Sequence, residues 1–231
     1  MRLIGNGVSE GLSKEGATFK ISLPSGTQYV PPKTLDGFLF ANVFEAMMIG
    51  EPFHVHGVVS ARAIKNATLY CEAWHNLLPN MFSPIEITSD AIVCDRNAVS
   101  AEDDRAISAF SGGLDGMFTA LRHKQRDLGE GSHRLDMVVM VHGLDVPPDN
   151  AEGFRSLKQR VEPVFDELGL TCANVWTNFR PLNRQPWEMS FSAQLAGCLH
   201  LMSGTYRYAL VGNSEPYSDL VLPWGSNPAT D

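Results

Sequence analysis

The sequence predicts an α/β fold: a parallel sheet flanked by helices, with a smaller α+β region ahead of it. Three observations carry that prediction. From about residue 101 onward, short apolar runs alternate with stretches of helical periodicity, the pattern of repeated βα units. The run Leu135–Val141 is apolar at every position except Asp136, as a strand covered on both faces must be. Between the apolar run ending at Phe110 and the next helical stretch stands Ser111-Gly112-Gly113, a turn almost stripped of Cβ atoms. On this reading residues 1–100 form the α+β region and residues 101–231 the α/β domain.

Taken in order, Ala17–Leu23 alternates as a half-buried strand should, and Pro24-Ser25-Gly26 suggests a hairpin turn before Thr27–Val30. Asp36–Ile49 predicts a helix with Phe38, Leu39, Val43, Ala46 and Met47 on its apolar face and Gly50 as its C-terminal cap. Pro52–Val59 reads as a strand, and alternation puts His54 and His56 on one face of it. Two imidazoles so placed are either a metal or phosphate contact or an ordinary pair of surface or packed histidines. With no third ligand close in sequence, the second reading is the simpler. Ser60–Leu78 predicts a helix whose stripe of Ala63, Ala67, Tyr70, Cys71, Trp74 and Leu78 is core. Ile85-Glu86-Ile87 begins another strand, with Ala91–Cys94 as its hairpin partner.

In the second part, Arg105–Phe110 is the first strand. A helix from Leu114 to about Leu128 turns Leu114, Met117, Phe118, Leu121 and Leu128 toward the sheet, leaving Arg122, Lys124 and Arg126 as a solvated face. Leu135–Val141 is the second strand. A helix capped by Asn150 runs on to Leu168, with Phe154, Leu157, Val161, Val164 and Leu168 inward and Pro163 expected to kink or shorten it. Thr171–Trp176 is the third strand, Trp187–Met202 a helix burying Phe191, Leu195, Cys198, Leu199 and Met202, and Tyr206–Val211 the fourth strand. Ligands of open parallel sheets bind at the carboxyl ends of the strands. Position therefore marks His142 and Asp145 after the second strand, Asn178 and Arg180 after the third, and Asn213 after the fourth. Each has a plain alternative: a loop histidine, a turn-capping aspartate, a surface arginine in a Pro-rich loop, a simple Gly-Asn-Ser turn.

The glycine turn has the same two readings. Glycines let backbone N–H groups approach a ligand closely, and a helix start adds partial positive charge, which together hold phosphate. The alternative is an ordinary βα turn that needs positive φ.

Composition narrows the classes. The 231 residues are 44% hydrophobic and 19% charged, as in a globular protein able to bury a sizeable core. Eighteen Lys and Arg against 26 Asp and Glu give a net charge of -8, which argues against general nucleic-acid binding. Cys71, Cys94, Cys172 and Cys198 form no Cys-x-x-Cys pair, and no apolar run reaches membrane-spanning length. With no apolar signal segment at its start, the chain reads as a soluble cytoplasmic protein with reduced thiols and no membrane partner.

Ser111-Gly112-Gly113-Leu114-Asp115 resembles the SGGxDS signature of the PP-loop ATP pyrophosphatases, the superfamily of asparagine synthetase and 7-cyano-7-deazaguanine synthase. The order of strand, helix, His-x-His-Gly strand and Trp-bearing helix before the loop, and Trp224-Gly225-Ser226-Asn227-Pro228 after it, is loosely similar to proteins related to the deazaguanine synthases. The resemblance implies a Rossmann-like sheet of five strands in the order 3-2-1-4-5, with the glycine loop at the switch point. It implies ATP and Mg²⁺ as cofactors, and transfer of AMP to a carbonyl or carboxylate oxygen of a small-molecule substrate with release of pyrophosphate. A nitrogen or sulfur nucleophile would then displace AMP. Ser111, Asp115 and Arg180 would serve catalysis, with Asp115 on the metal. Ser111, Gly112, Gly113, Leu114, Asp115 and Gly116 would cradle the phosphates, the backbone of Val141 and His142 would meet adenine, and Asn178 and Asn213 would line the same crevice.

Two departures matter. Gly116 stands where the family has Ser or Thr, and the cysteine cluster that holds zinc in the deazaguanine synthases has no counterpart, so nitrile formation does not carry over. The rival reading is an ATP-binding sensor or interaction module without turnover, with residues 1–100 as a surface for a protein partner or a second copy. A third is a Rossmann-like domain for another phosphorylated ligand; the absence of G-x-G-x-x-G at the first turn argues against NAD.

Overall fold

A computed structural model describes residues 2–4, 18–94, 99–100, 102–182, 186–212, 218 and 221–227. It is α/β, with a mainly parallel central sheet flanked by helices. The chain forms two compact units, each discontinuous in sequence. The first takes Met1–Pro31, Asn97–Leu182 and Leu201–Gly212; the second takes Pro32–Arg96, Asn183–His200 and Asn213–Asp231. The chain is therefore not partitioned at a single point near residue 100.

The six-stranded sheet of the first unit runs β1 (Arg2–Ile4), β2 (Thr18–Ser22), β7 (Thr171–Thr177), β6 (Arg134–His142), β5 (Arg105–Ala109), β8 (Tyr208–Leu210). The last four are mutually parallel, whereas β2 pairs antiparallel with β7, Ile21 facing Val175, and β1 pairs antiparallel with β2. The strand expected over Ala17–Leu23 thus forms, but not the hairpin expected with Thr27–Val30. The Thr27 N–H closes a turn on the Pro24 carbonyl at 3.2 Å, and the Val30 N–H goes to Thr205 Oγ1 at 2.8 Å. Donors spent in this way are not available to a ladder.

Among the described residues this unit holds the α-helices α3 (Leu114–Gln125), α4 (Ala151–Leu168) and the single turn α5 (Phe179–Leu182). Asn150 caps α4 as expected, its side chain accepting the Gly153 N–H at 2.9 Å, and Gly169 closes it in the left-handed region. Pro163 does not end α4, which runs on through it to Leu168. Of the stripe predicted for α3 only Met117 packs inward. Leu114 is 81% exposed and Phe118 57%, while Ala120 and His123 are buried and Met117 is half-buried against the core. Small side chains let a helix lie close to a strand, and here Gly116 and Ala120 take that role, which turns the bulky residues outward.

The amino ends of β5 and β6 are tied by charge. Asp103 receives Arg105 Nε at 2.9 Å and Nη2 at 2.7 Å; Asp104 receives Arg126 Nη2 at 2.8 Å and meets His133 Nδ1 at 3.0 Å. These hydrogen bonds, from Arg105 and from His133 first, hold both carboxyls below the usual carboxylate range. Burial, followed by the neighbouring His133, pushes the His123 imidazole below its ordinary value. All three shifts have the same sign consequence. A group that binds its proton more weakly when folded stabilises the fold above its unfolded pKa, and the fold loses that stability as pH falls through the folded value. Thermal melts from about pH 8 to about pH 4 should fall in two stages, first below about 6.5 from His123 and then in the carboxylate range. A flat profile would show that these contacts contribute nothing measurable to stability.

In the second unit, α1 (Asp36–Ile49) ends at Gly50 with φ 78°, as predicted. It is followed by β3 (Phe53–Ser60), α2 (Ala61–Leu77), the strand β4 (Ile87–Val93), and α6 (Trp187–Leu199). Ser60 caps α2 through the Ala63 N–H, and the buried Asp36 carboxylate accepts the Ser60 N–H at 2.8 Å. The hairpin expected within residues 85–94 does not form. Ile87–Val93 is one strand pairing in parallel with β3, so β3, α2 and β4 make a βαβ unit with a two-stranded sheet. Its core gathers Leu39, Val43, Phe44, Met47, Val55, Val59 and Trp74. On α6 the backbone of Gly197 approaches Gly37 and Ala41 of α1 so closely that a Cβ at 197 would come within 2.6 Å of the Gly37 oxygen. Of the predicted stripe, Cys198, Leu199 and Met202 are buried as expected and Phe191 and Leu195 only half-buried, while Ala193 and Gly197 are buried as well. Trp224 stacks edge-on against Phe191, and Gly225 bonds the Glu188 carbonyl.

All four cysteines are free thiols, with Cys71 and Cys198 buried; burial pushes Cys71 up to about 12, which leaves it a protonated core residue. Among the described residues no helix is long and apolar enough to cross a membrane.

Candidate functional site

Parallel pairing sets the carboxyl ends of β5, β6 and β7 along one edge of the sheet, so the loops after these strands emerge together. The loop after β5 is the glycine turn. The Phe110 N–H still belongs to the ladder, donating to the Val139 carbonyl at 2.9 Å, and the chain leaves the sheet at the exposed Ser111. Gly112 has φ 83°, and a Cβ there would stand 3.1 Å from Leu157 and 3.2 Å from Val161 of α4; conformation and space both ask for glycine. Gly113 is different. Its φ of -82° suits any residue, and the nearest atom to an added Cβ is Ser111 Oγ at 3.4 Å.

Gly113 is also the N-cap of α3, and no side chain caps the helix. The N–H groups of the first turn have no acceptor inside a helix, so this terminus offers donors and partial positive charge to an anion. Asp115 lies in the first turn and is exposed. Gly116 faces the strand it follows: an added Cβ would lie 3.5 Å from the Ala109 oxygen, 3.6 Å from Phe110 Cα and 3.7 Å from Ser111 N, all ordinary contacts. The Cβ of a serine therefore fits at 116. Gly212, after β8, is bound to its type, since a Cβ there would come within 2.7 Å of the Asp115 oxygen. Asn213 lies outside the described residues.

At the end of β6, Val141 is half-buried and His142 buried. The His142 ring stacks on Phe154 with centroids 4.7 Å apart, and its Nε2 meets the Pro147 carbonyl at 2.9 Å, which assigns the proton to Nε2. The imidazole is a packing element here, and the backbone is what His142 offers to the edge. Asp145 is exposed. After β7, the Asn178 carboxamide oxygen accepts the Thr18 N–H at 2.7 Å, which ties it to β2. Arg180, on α5, donates from Nη1 to the Leu144 carbonyl and so joins the loops after β6 and β7. The contact that fixes this corner, which no motif announces, is the meeting of Gly143 with Thr177 across the two strand ends. The only local signal was the pair of a loop glycine and a strand-end threonine.

Comparison with protein-family models, with curated proteins and with solved structures found no match to this chain.

What the edge can do chemically follows from its groups. An exposed Ser-Gly-Gly turn and an uncapped helix start can receive an anion, and an adjoining carboxylate suits a hard cation such as Mg²⁺. Outside this edge, His54 and His56 lie on the two-stranded sheet of the second unit, where Asp90 faces both rings.

Proposed function

We propose that the loop Ser111–Gly113 holds the phosphates of ATP and that the chain is an ATP-dependent adenylating enzyme of the PP-loop kind. The observation that carries this reading is the glycine turn, which presents an exposed, uncapped helix start at the carboxyl end of β5. The parallel strands counted from β5 run 3-2-1-4, an order that supports the reading; a fifth strand beyond β8 would complete it. The fit to a nucleotide rests on space as well as donors, because Gly113 leaves open the volume that a larger side chain would fill.

In this reading the backbone N–H groups of Gly112, Gly113, Leu114 and Gly116 receive phosphate oxygens, and the Ser111 hydroxyl donates to another. Asp115 holds Mg²⁺ directly or through water. Arg180 offsets negative charge at the same edge with a planar donor fork, and the backbone at Val141 and His142 takes the base, with Asn178 nearby. The chemistry that bound ATP supplies is adenylation: a substrate carbonyl or carboxylate oxygen bonds to the α-phosphorus while the α–β bridge breaks and pyrophosphate departs. The protein's share is positioning and charge stabilisation.

A specific observation favours a second reading. Gly116 lacks the family's hydroxyl, and Leu114, Phe118 and Leu121 form an exposed apolar stripe beginning at the loop. An ATP-binding module that presents this stripe to a protein would keep the cradle and release no pyrophosphate.

Calorimetric titration of the full chain with Mg-ATP tests the cradle. Wild type should bind in roughly the micromolar range, and Gly113→Val should weaken binding by at least about tenfold while remaining folded; Asp115→Ala should remove the Mg²⁺ dependence. Folded wild type that binds no ATP, or Gly113→Val that binds as well, would refute the reading. Pyrophosphate release then separates the enzyme from the sensor. Gly116→Ser should stabilise α3 by about 0.5 kcal/mol through helix propensity, and in the enzyme reading it should also raise turnover.

A further inference from the structure

The outer face of the two-stranded sheet in the second unit brings three metal-ligating side chains to one point. In β3, His54 and His56 are separated by the buried Val55, so strand alternation sends both imidazoles outward. In β4, Thr88 lies opposite His54, and Asp90, two residues on, projects on the same face. A single oxygen, Asp90 Oδ1, stands 2.9 Å from His54 Nε2 and 3.5 Å from His56 Nδ1. The three donor atoms all lie within 4.8 Å of one another. In a tetrahedral zinc site with bonds of about 2.0–2.1 Å, neighbouring donor atoms are roughly 3.3 Å apart. The three groups therefore stand within a small rotation of a coordination shell.

We infer that His54 Nε2, His56 Nδ1 and Asp90 Oδ1 form a three-ligand site for a zinc-class divalent cation, with its remaining coordination open to solvent. Three further features fit. Thr88 Oγ1 lies 2.8 Å from His54 Nδ1 and can accept a proton there when a metal takes Nε2, the place that outer partners of ligating histidines hold. The ladder shifts register between Val55 and Val58, and Gly57, at φ 145°, makes the irregularity directly after His56; such bulges re-aim the side chains beside them. The donor set of two imidazoles and one carboxylate suits Zn²⁺, Co²⁺ or Ni²⁺, not the all-oxygen shells of Mg²⁺ and Ca²⁺ or the thiolate shells of Cu⁺. An ion pair on a sheet surface needs one histidine. Here two rings, with centroids 4.7 Å apart, address the same carboxylate oxygen. Three protein ligands with an open position are also the arrangement of hydrolytic zinc centres, in which the open position binds water.

The test uses the full chain without nucleotide, titrated calorimetrically with Zn²⁺ in a non-coordinating buffer. Wild type should bind one equivalent, and His56→Ala, Asp90→Asn and His54→Ala should each weaken binding by at least about tenfold. His56 is 85% exposed, so its removal leaves the fold intact. Thr88→Val keeps all three ligands and should still weaken binding about tenfold through loss of the outer hydrogen bond. Cys94→Ser should bind as wild type does, which excludes the exposed thiol as the ligand. Nitrogen-15 shifts should place zinc on Nε2 of His54 and Nδ1 of His56. Wild type that binds no zinc, or His56→Ala and Asp90→Asn variants that bind it unchanged, would overturn the site.

Discussion

Gly143→Ala is expected to cost about 4 kcal/mol of stability, a large share of the total for a domain of this kind. Two costs add at this position. Its φ of 117° lies where an L side chain is strained, and an added Cβ would stand 1.8 Å from the Thr177 oxygen and 2.9 Å from the Thr177 carbonyl carbon. Those are backbone atoms of a strand that is itself paired on both sides, with β2 and with β6, so neither can retreat without breaking a ladder. The Gly143 N–H also donates to the Val146 carbonyl at 2.9 Å, and a turned peptide would lose that bond. Urea denaturation gives the comparison. The midpoint of Gly143→Ala should fall far below that of wild type, while Gly113→Ala, with φ -82° and room for a Cβ, should stay within about 1 kcal/mol. A wild-type midpoint for Gly143→Ala would mean that the ends of β6 and β7 do not meet as described. The contrast also separates two glycines of one sheet edge: Gly143 builds the edge, and Gly113 leaves it open.

What was legible in the sequence was what is local. Gly50 and Asn150 end or begin helices through backbone geometry and short-range hydrogen bonds, so their residue types announce them. The glycine turn is legible for the same reason. The inward face of α3 was not, because periodicity counts bulky apolar residues, and this helix lies on the sheet through Gly116 and Ala120. Nor was the partner of β2: Thr18 and Asn178 are 160 positions apart, and nothing local marks the antiparallel edge that they fix. β4 was read as two halves because Asp90 interrupts its apolar pattern, yet an aspartate is unremarkable on the solvent face of a strand. The same long range hid the third group beside His54 and His56, since Asp90 reaches them only across the α2 crossover, 36 residues beyond His54. At the candidate nucleotide edge, Arg180 was found from its place after a strand, while its bond to Leu144 depends on tertiary folding.

Trp74→Ala should cost about 3–5 kcal/mol, the range for removing a large aromatic side chain from a core that cannot collapse around the gap. Trp74 is fully buried, with ring centroids 5.1 Å from Phe44 and 5.3 Å from Phe82, both nearly edge-on, and Phe44 and Phe82 stand 4.9 Å from each other. The three rings brace one another, so the loss of one leaves the other two facing a void. Trp74→Phe should behave differently. The indole N–H has no acceptor among the described residues, and a buried donor left unmade costs about 1–3 kcal/mol. Phenylalanine removes that donor along with part of the apolar area, so the two changes oppose each other and the net loss should stay below about 1.5 kcal/mol. Equal, large losses in both variants would show that the indole N–H is satisfied and that this account of the core is wrong. The same core supports the inward face of β3 and β4 through Val55, Val59 and Ile87, whose outward face carries His54, His56 and Asp90. Trp74→Ala should therefore weaken zinc binding although it touches no ligand, and Trp74→Phe should leave it unchanged. That split ties the position of the three ligands to the packing behind them, because alternation along β3 lets Val55 move into the void only by taking both histidines with it.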